Sequence, residues 1–186
     1  MSGEEVLQSA DGRMRKAVDV LKHELATVRT GRANPSLVEH IQVEYHGVQV
    51  PLNQIAGIST PEPRMLVIQP WDKQVLPNIE KAILKSDLGL NPGNDGNIIR
   101  LPIPQLTEER RNQLVKLVRK RVEDGKVAVR NVRRDAVDGL RKLKDNKEMS
   151  EDEQKRFMTR LQQLTDKFIE EIDRIAKTKE TELLEF

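Results

Sequence analysis

Apolar residues recur every seven positions at both ends of the chain and lose that rhythm in the middle. Leu7, Met14, Leu21 and Val28 set the first repeat; Ala10 and Ala17 fill the intervals, and Val18 and Leu25 widen the stripe. Steps of three, four and seven residues place these side chains on one helical face, the seam of a bundle or coiled coil. Gly31 then reads as a C-cap, and Arg29 suits the negative end of the helix dipole. The rhythm returns at Val115, Val122, Val129, Ala136 and Leu143, with Val118, Gly125, Val132 and Gly139 between them. Thr107 is placed to cap this helix, with Glu108 and Glu109 in its first turn. A run to Asp145 would span roughly 58 Å at 1.5 Å per residue. Glycine inside a helix costs about 1 kcal/mol against alanine. Close packing at Gly125 and Gly139 would offset that. Ser150 and Glu153 form a capping-box pattern for a third helix, whose apolar face is Phe157, Leu161, Leu164, Phe168, Ile172 and Ile175.

The middle of the chain follows other rules. Ile41, Val43 and Tyr45 alternate with polar residues, and His46-Gly47 reads as a turn into Val48-Gln49-Val50. Met65–Ile68 predicts a further strand after Pro61 and Pro63. Asp72 opens a helix carrying Leu76, Ile79 and Ile83, which tolerates Pro77 only in its first turn. Gly89 to Gly96 is loop chemistry, and Ile98, Ile99 and Leu101 make a last short strand closed by Pro102 and Pro104. Trp71 is expected in the core or at a domain junction. The whole is an α+β chain: a long antiparallel three-helix bundle from residues 1–30 plus 105–186, with a small β/α/β domain inserted at 31–104. The first helix cannot bury its stripe alone, so the bundle assembles across the insert. Two connections then cross one junction, a hinge at Thr30 and Gly31 on one side and Pro102, Pro104 and Gln105 on the other.

Composition narrows the functions. There is no cysteine, which excludes disulfides, thiolate catalysis and cysteine metal sites. Charged residues make up 33% and aromatics 3%, which suits long, solvent-washed helices. No run of eighteen apolar residues is present, so no membrane span is expected. The first residues, MSGEEVLQSADGRM, carry neither signal-peptide nor transit-peptide character, and a cytoplasmic location is expected. His23-Glu24 starts a zinc-protease pattern, but Thr27 stands where the second histidine would be. No phosphate-binding loop or nucleophile elbow is present either. No catalytic residue, metal site or cofactor is assigned.

Charge singles out the second long helix. Residues 105–145 hold thirteen basic and seven acidic side chains, whereas 146–186 hold eight and eleven. One strip at three- and four-residue spacing reads Lys116, Arg119, Glu123, Lys126, Arg130, Arg133, Val137, with Arg134 on the adjoining row. Five of its seven positions are basic, whereas a soluble helix more often alternates sign along a face. Arginine's planar fork matches phosphate, and nothing in the chain reads bases. Recognition of RNA by shape and backbone is therefore the expectation. A solvated surface is the plain alternative. Arg29 and Arg32 add charge at the junction, and Arg110 and Arg111 sit at the positive end of their helix, where cations are disfavoured without an external anion. A coiled-coil adaptor binding protein would also use such helices. Salt separates the two, because RNA binding weakens steeply with ionic strength.

Four segments, in order, resemble the ribosome recycling factors: Arg29-Thr-Gly-Arg-Ala-Asn-Pro-Ser-Leu37, Ser86-Asp-Leu-Gly-Leu-Asn-Pro92, Leu106-Thr-Glu-Glu-Arg-Arg111 and Val129-Arg-Asn-Val-Arg-Arg-Asp-Ala136. The resemblance implies an L-shaped monomer with the outline of a transfer RNA, acting on the ribosome after termination. It implies binding of the large ribosomal subunit, on ribosomal RNA across the aminoacyl and peptidyl sites. It also implies subunit separation with GTP-bound elongation factor G. Family positions implicated in the RNA contact match Arg29, Arg32, Arg110, Arg130, Arg133 and Arg134. The charge reading reached the last three independently. Val137 departs from the family's usual polar residue at that place, which touches only a local contact at the distal end of the strip.

Overall fold

Ser2 opens the first helix in the computed structural model, which describes residues 1–185. Its hydroxyl accepts from the Glu5 amide while the Glu5 carboxylate accepts from the Ser2 amide, a complete capping box. Helix α1 runs Gly3–Ala26 and ends at Thr27, so Gly31 is not its cap. Thr27, the C-terminal capping residue, donates its hydroxyl to the Glu24 carbonyl. Gly31 instead carries the chain onward at φ 79°, a left-handed conformation that suits glycine.

Two units follow from the contacts. The first holds residues 1–30 and 108–185: α1, α3 (Glu108–Asp145) and α4 (Glu151–Glu185). The sequence-expected end of the bundle at residue 186 lies outside the described residues. Gln105–Thr107, assigned to the bundle by pattern, group with the insert, because helix α3 begins only at Glu108. All three helices pack on one another. Their core holds Met14, Val18, Leu21 and Leu25 from α1, Val118, Val129 and Leu140 from α3, and Leu161, Phe168 and Ile172 from α4. The buried row of α3 begins at Leu114 and includes Leu140, while Val115 and Gly139 are only half-buried. Four-residue steps outnumber three-residue steps along it, the α-helical period and not the strict 3.5 of a coiled coil. Ser150 and Glu153 exchange both capping-box bonds at 3.1 Å.

Charged residues fasten the bundle's flanks. Arg160 grips Glu4 with two bonds, at 2.6 and 3.1 Å. Glu171 receives Arg15 at 2.8 Å and Lys22 at 3.3 Å, and the Arg15 guanidinium lies 4.7 Å over the Phe168 ring. Burial alone would raise the Glu171 pKa, but the two cations outweigh it and the net shift is downward.

The second unit, residues 31–107, has two antiparallel sheets and one helix. Strands β1 (Gln42–Tyr45) and β2 (Val48–Pro51) form a hairpin whose turn residues His46 and Gly47 both have positive φ, 50° and 80°. That is the turn hand which matches strand twist. Strands β3 (Ala56–Glu62), β4 (Met65–Pro70), β5 (Gly93–Asn94) and β6 (Ile99–Pro102) form a sheet in the order β3-β4-β6-β5. Helix α2 (Leu76–Lys85) follows β4 with Pro77 in its first turn, and Asp72 caps the short 3-10 turn before it through the Gln74 amide. The strand–helix–strand order is present, but β4 and β6 are antiparallel neighbours. Val43, Leu52, Leu66, Ile68, Ile79, Ile83, Ile99 and Leu101 make the core of this unit.

Two expectations are corrected here. Pro102 is a sheet residue, paired with Met65, and Ile103 donates to the Arg64 carbonyl. The second connection between the units therefore begins at Pro104. Trp71 is 71% exposed, which rules out the core alternative for it. Its amide donates to Ile55 as β4 ends, and the following Val75 and Leu76 occupy the core instead.

Three tests follow from this packing. A Cβ on Gly139 would meet Val6 at 3.5 Å, ordinary contact, whereas one on Gly125 would lie 3.2 Å from Leu21. Gly139→Ala should therefore gain the helical preference of alanine, about 0.5–1 kcal/mol. Gly125→Ala should gain less or lose, and paired urea melts rank the two. Glu171→Gln should cost about 1 kcal/mol near neutrality. Because its folded pKa is lowered, that contribution is complete above the ordinary value of 4.5. It vanishes as pH falls through the folded value, so the gap between wild type and variant should close in acid. Residues 31–107, expressed alone, should melt cooperatively; a sloping, non-cooperative melt would refute the insert as a folding unit.

Candidate nucleic-acid interface

A single 38-residue helix displays most of the basic residues picked out by charge. Its buried row from Val118 to Leu143 fixes the rotation about the axis. With 100° per residue, Arg119, Lys126, Arg130 and Arg133 fall on the flank toward α4, and Lys116 and Arg134 lie further round toward solvent. Arg119, Arg130, Arg134 and Lys116 are exposed, while Lys126 and Arg133 are half-buried.

Helix α4 answers this flank with acids and an amide. Arg119 Nε meets Glu180 Oε1 at 3.1 Å, and Lys126 Nζ meets Asp173 Oδ1 at 2.6 Å. Arg133 Nε donates to Gln162 Oε1 at 2.9 Å, and Gln162 Nε2 donates to Asp166 Oδ1 at 2.8 Å. Arg130 has its partner on its own helix, Glu123, at 3.3 Å. Arg134 and Lys116 make no ion pair or side-chain hydrogen bond among the described residues. The strip is therefore not a uniform band of free charge. Arg119, Lys126 and Arg130 carry direct counter-charges, and the cations of this face without a carboxylate partner among the described residues are Lys116, Arg133 and Arg134.

Other expected residues do not join the strip. Arg110 lies about 200° around α3 from Arg130, on the flank toward α1, and donates to Gln113 Oε1 at 3.1 Å. Arg111 is half-buried and in register with the buried Leu114 and Val118. Arg29 and Arg32 are exposed in the segment after α1. Sequence reasoning missed the α4 side of the site. Its signal was available: Asp166, Asp173 and Glu180 repeat every seven residues, as do Arg119, Lys126 and Arg133 on α3.

No metal-binding group of histidine and carboxylate side chains forms among the described residues. No described helix is long and apolar enough to cross a membrane. The open groove between α1 and α3, about 540 Å³, is lined by Arg13, Lys16, Glu24, Arg121 and Asp124 among others, with Arg121 4.0 Å from Glu24.

Comparison with known proteins gives a consistent result. The family model described as ribosome recycling factor matches residues 21–184. A ribosome-recycling factor of Desulfitobacterium hafniense is 61% identical over 181 residues, 97% of this chain and 98% of that protein. One from Natranaerobius thermophilus is 58% identical with the same coverage. A solution structure of a ribosome recycling factor matches with a TM-score of 0.78 and 47% identity, covering 100% of this chain and 99% of the other. A second match has a TM-score of 0.67 and 51% identity, covering 99% of this chain and all of the other. It comes from models of the T. thermophilus ribosome recycling factor and the E. coli elongation factor G bound to the E. coli post-termination complex. With a family model over most of its length and relatives of this identity across nearly all of it, the chain belongs to the ribosome recycling factor family.

Proposed function

We propose that this protein recycles ribosomes after termination. It binds the large ribosomal subunit across the aminoacyl and peptidyl sites. Together with elongation factor G and GTP hydrolysis, it separates the subunits for reuse. It works in the cytoplasm as a monomer, carries no cofactor and catalyses no reaction of its own; the chemical step belongs to the elongation factor. Family membership supports this reading, as does the relative placed with elongation factor G on a post-termination complex. The observation that carries the RNA contact is the Arg130, Arg133 and Arg134 cluster on a helix held rigid by its buried row. Guanidinium groups carried at a spacing set by one helix suit a folded RNA backbone. Arg29, Arg32, Arg110, Arg111, Lys116, Arg119 and Lys126 contribute further cations. Of these, Arg119 and Lys126 contribute least, because Glu180 and Asp173 already pair with them.

The chain passes between the units at Thr30–Gly31 and again at Thr107–Glu108, just after β6 and the Pro104–Leu106 segment. These connections act as the hinge, with Gly31 as its permissive residue.

The test is a subunit-splitting assay with purified post-termination ribosomes, elongation factor G and GTP. Arg130→Glu with Arg133→Glu should keep the fold and cost about 1 kcal/mol, since it breaks the Glu123 ion pair and the Gln162 hydrogen bond. It should weaken large-subunit binding strongly and lower the salt slope by about one unit for each lost phosphate contact. Splitting should fall in parallel. Arg121→Glu with Lys142→Glu, on the flank of α3 toward α1, is the control and should do far less. Wild-type binding and slope in the Arg130/Arg133 variant would mean that the strip is a solvated face.

A further inference from the structure

The α3–α4 flank is a ladder with one rung made differently. Arg119, Lys126 and Arg133 are seven residues apart on α3. Glu180, Asp173 and Asp166 are seven apart on α4, in antiparallel register. The first two rungs are direct ion pairs, Arg119–Glu180 and Lys126–Asp173. At the third, the same register would bring Arg133 to Asp166. It does not, because Gln162 stands between them.

The amide is oriented from both sides. Arg133 Nε–H is a donor and needs an oxygen, while the Asp166 carboxylate is an acceptor and needs an N–H. Only one orientation of Gln162 serves both, with Oε1 toward Arg133 at 2.9 Å and Nε2 toward Asp166 at 2.8 Å. The consequence is electrostatic. A carboxylate on Arg119 cancels its charge, whereas a neutral amide on Arg133 fixes the side chain and leaves its charge intact. Gln162 takes the Nε proton alone. Both terminal nitrogens of Arg133 make no bond among the described residues and remain available as a two-pronged donor.

We propose that Gln162, oriented by Asp166, is a positioning residue that holds the Arg133 guanidinium, still charged, for two-pronged capture of a ribosomal RNA phosphate. The inference rests on the recycling reading above and deepens it. Gln162 itself touches no RNA. It separates Arg133 from the acid that the helix register would otherwise supply. Holding the guanidinium in advance also reduces the side-chain freedom lost on binding.

Large ribosomal subunits, titrated at several salt concentrations, are the probe. Gln162→Glu keeps an acceptor for Arg133 Nε but makes it an anion. It should lower affinity about tenfold, as for loss of a charged hydrogen bond, and reduce the salt slope by about one unit. Its melting temperature should change little, because the new ion pair to Arg133 is offset by repulsion from Asp166. Gln162→Ala removes the spacer, lets Arg133 fall onto Asp166, and should weaken binding similarly. Adding Asp166→Ala to Gln162→Ala removes that trap and should restore much of the lost affinity. A merely structural role predicts the opposite on both counts: the Glu variant would bind as well as wild type, and a second truncation would not rescue the first. Either of those results overturns the inference while leaving the recycling reading in place. A wild-type protein that does not bind large subunits at all defeats the recycling reading and this inference with it.

Discussion

Every feature of the basic helix depends on the closure of one hydrophobic seam between segments distant in sequence. Helix α1 brings Met14, Val18, Leu21 and Leu25, fully buried or nearly so, to residues more than ninety positions away. Alone it would expose that stripe, and most helical stability in proteins comes from packing an amphipathic face. Closing a long loop costs entropy that grows only with the logarithm of its length. A folded insert lowers that cost further, since its ends are already tied to one structured unit. The large side chains are spent at the places where three helices meet, with Phe168 fully covered at the centre and Gly125 admitting Leu21 on the α1 side. Rotation of α3 about its axis is set by this seam. The rotation in turn decides which arginines face α4 and which face water.

Much of this was legible in the chain. Seven-residue repeats marked all three long helices, and Ser150 with Glu153 marked the start of the last. The hairpin at His46-Gly47 and the helix with Pro77 in its first turn were also readable from local chemistry. What failed had physical reasons. Strand β3 reads Ala-Gly-Ile-Ser-Thr-Pro-Glu, with almost no apolar alternation, because it is an edge strand whose residues are mostly exposed. Pro61 is tolerated there where an inner strand would not allow it, near a break in register between Ser59 and Glu62. Strand β5 is two residues long and hides inside a glycine-rich loop. On α3 a strict seven-residue count drifted off the true seam and chose Val115 and Gly139 where Leu114 and Leu140 are the deeper residues. Trp71 misled because size suggests burial, yet a position at the end of a strand can leave even a large ring outside.

The site was half legible. A strip of like charge on one helix can be counted from sequence, but its net field depends on which element lies beside it. Residues 146–186 carry more acid than base, and α4 delivers that acid directly to Arg119 and Lys126. The charge total for α3 alone therefore overstates the available positive field. Reading the two helices as one antiparallel pair would have exposed the matching repeats.

The pairing has a consequence for selectivity. A phosphate and an internal carboxylate compete for the same guanidinium, and both are screened by salt in the same way. A helix with every cation free would attract any polyanion, since backbone charge carries no shape information. A helix with every cation paired would attract none. Here Arg119, Lys126 and Arg130 have direct carboxylate partners, whereas Lys116, Arg133 and Arg134 have none among the described residues. The uncancelled charge therefore sits at separate places along one helix, with Arg133 and Arg134 adjacent. Binding through such an arrangement requires phosphates at matching spacing, which a folded RNA surface can present and a random polyanion does so only at the cost of ordering itself. On the proposed RNA-docking reading, the partner each cation has, and not an arginine count on α3, sets that discrimination.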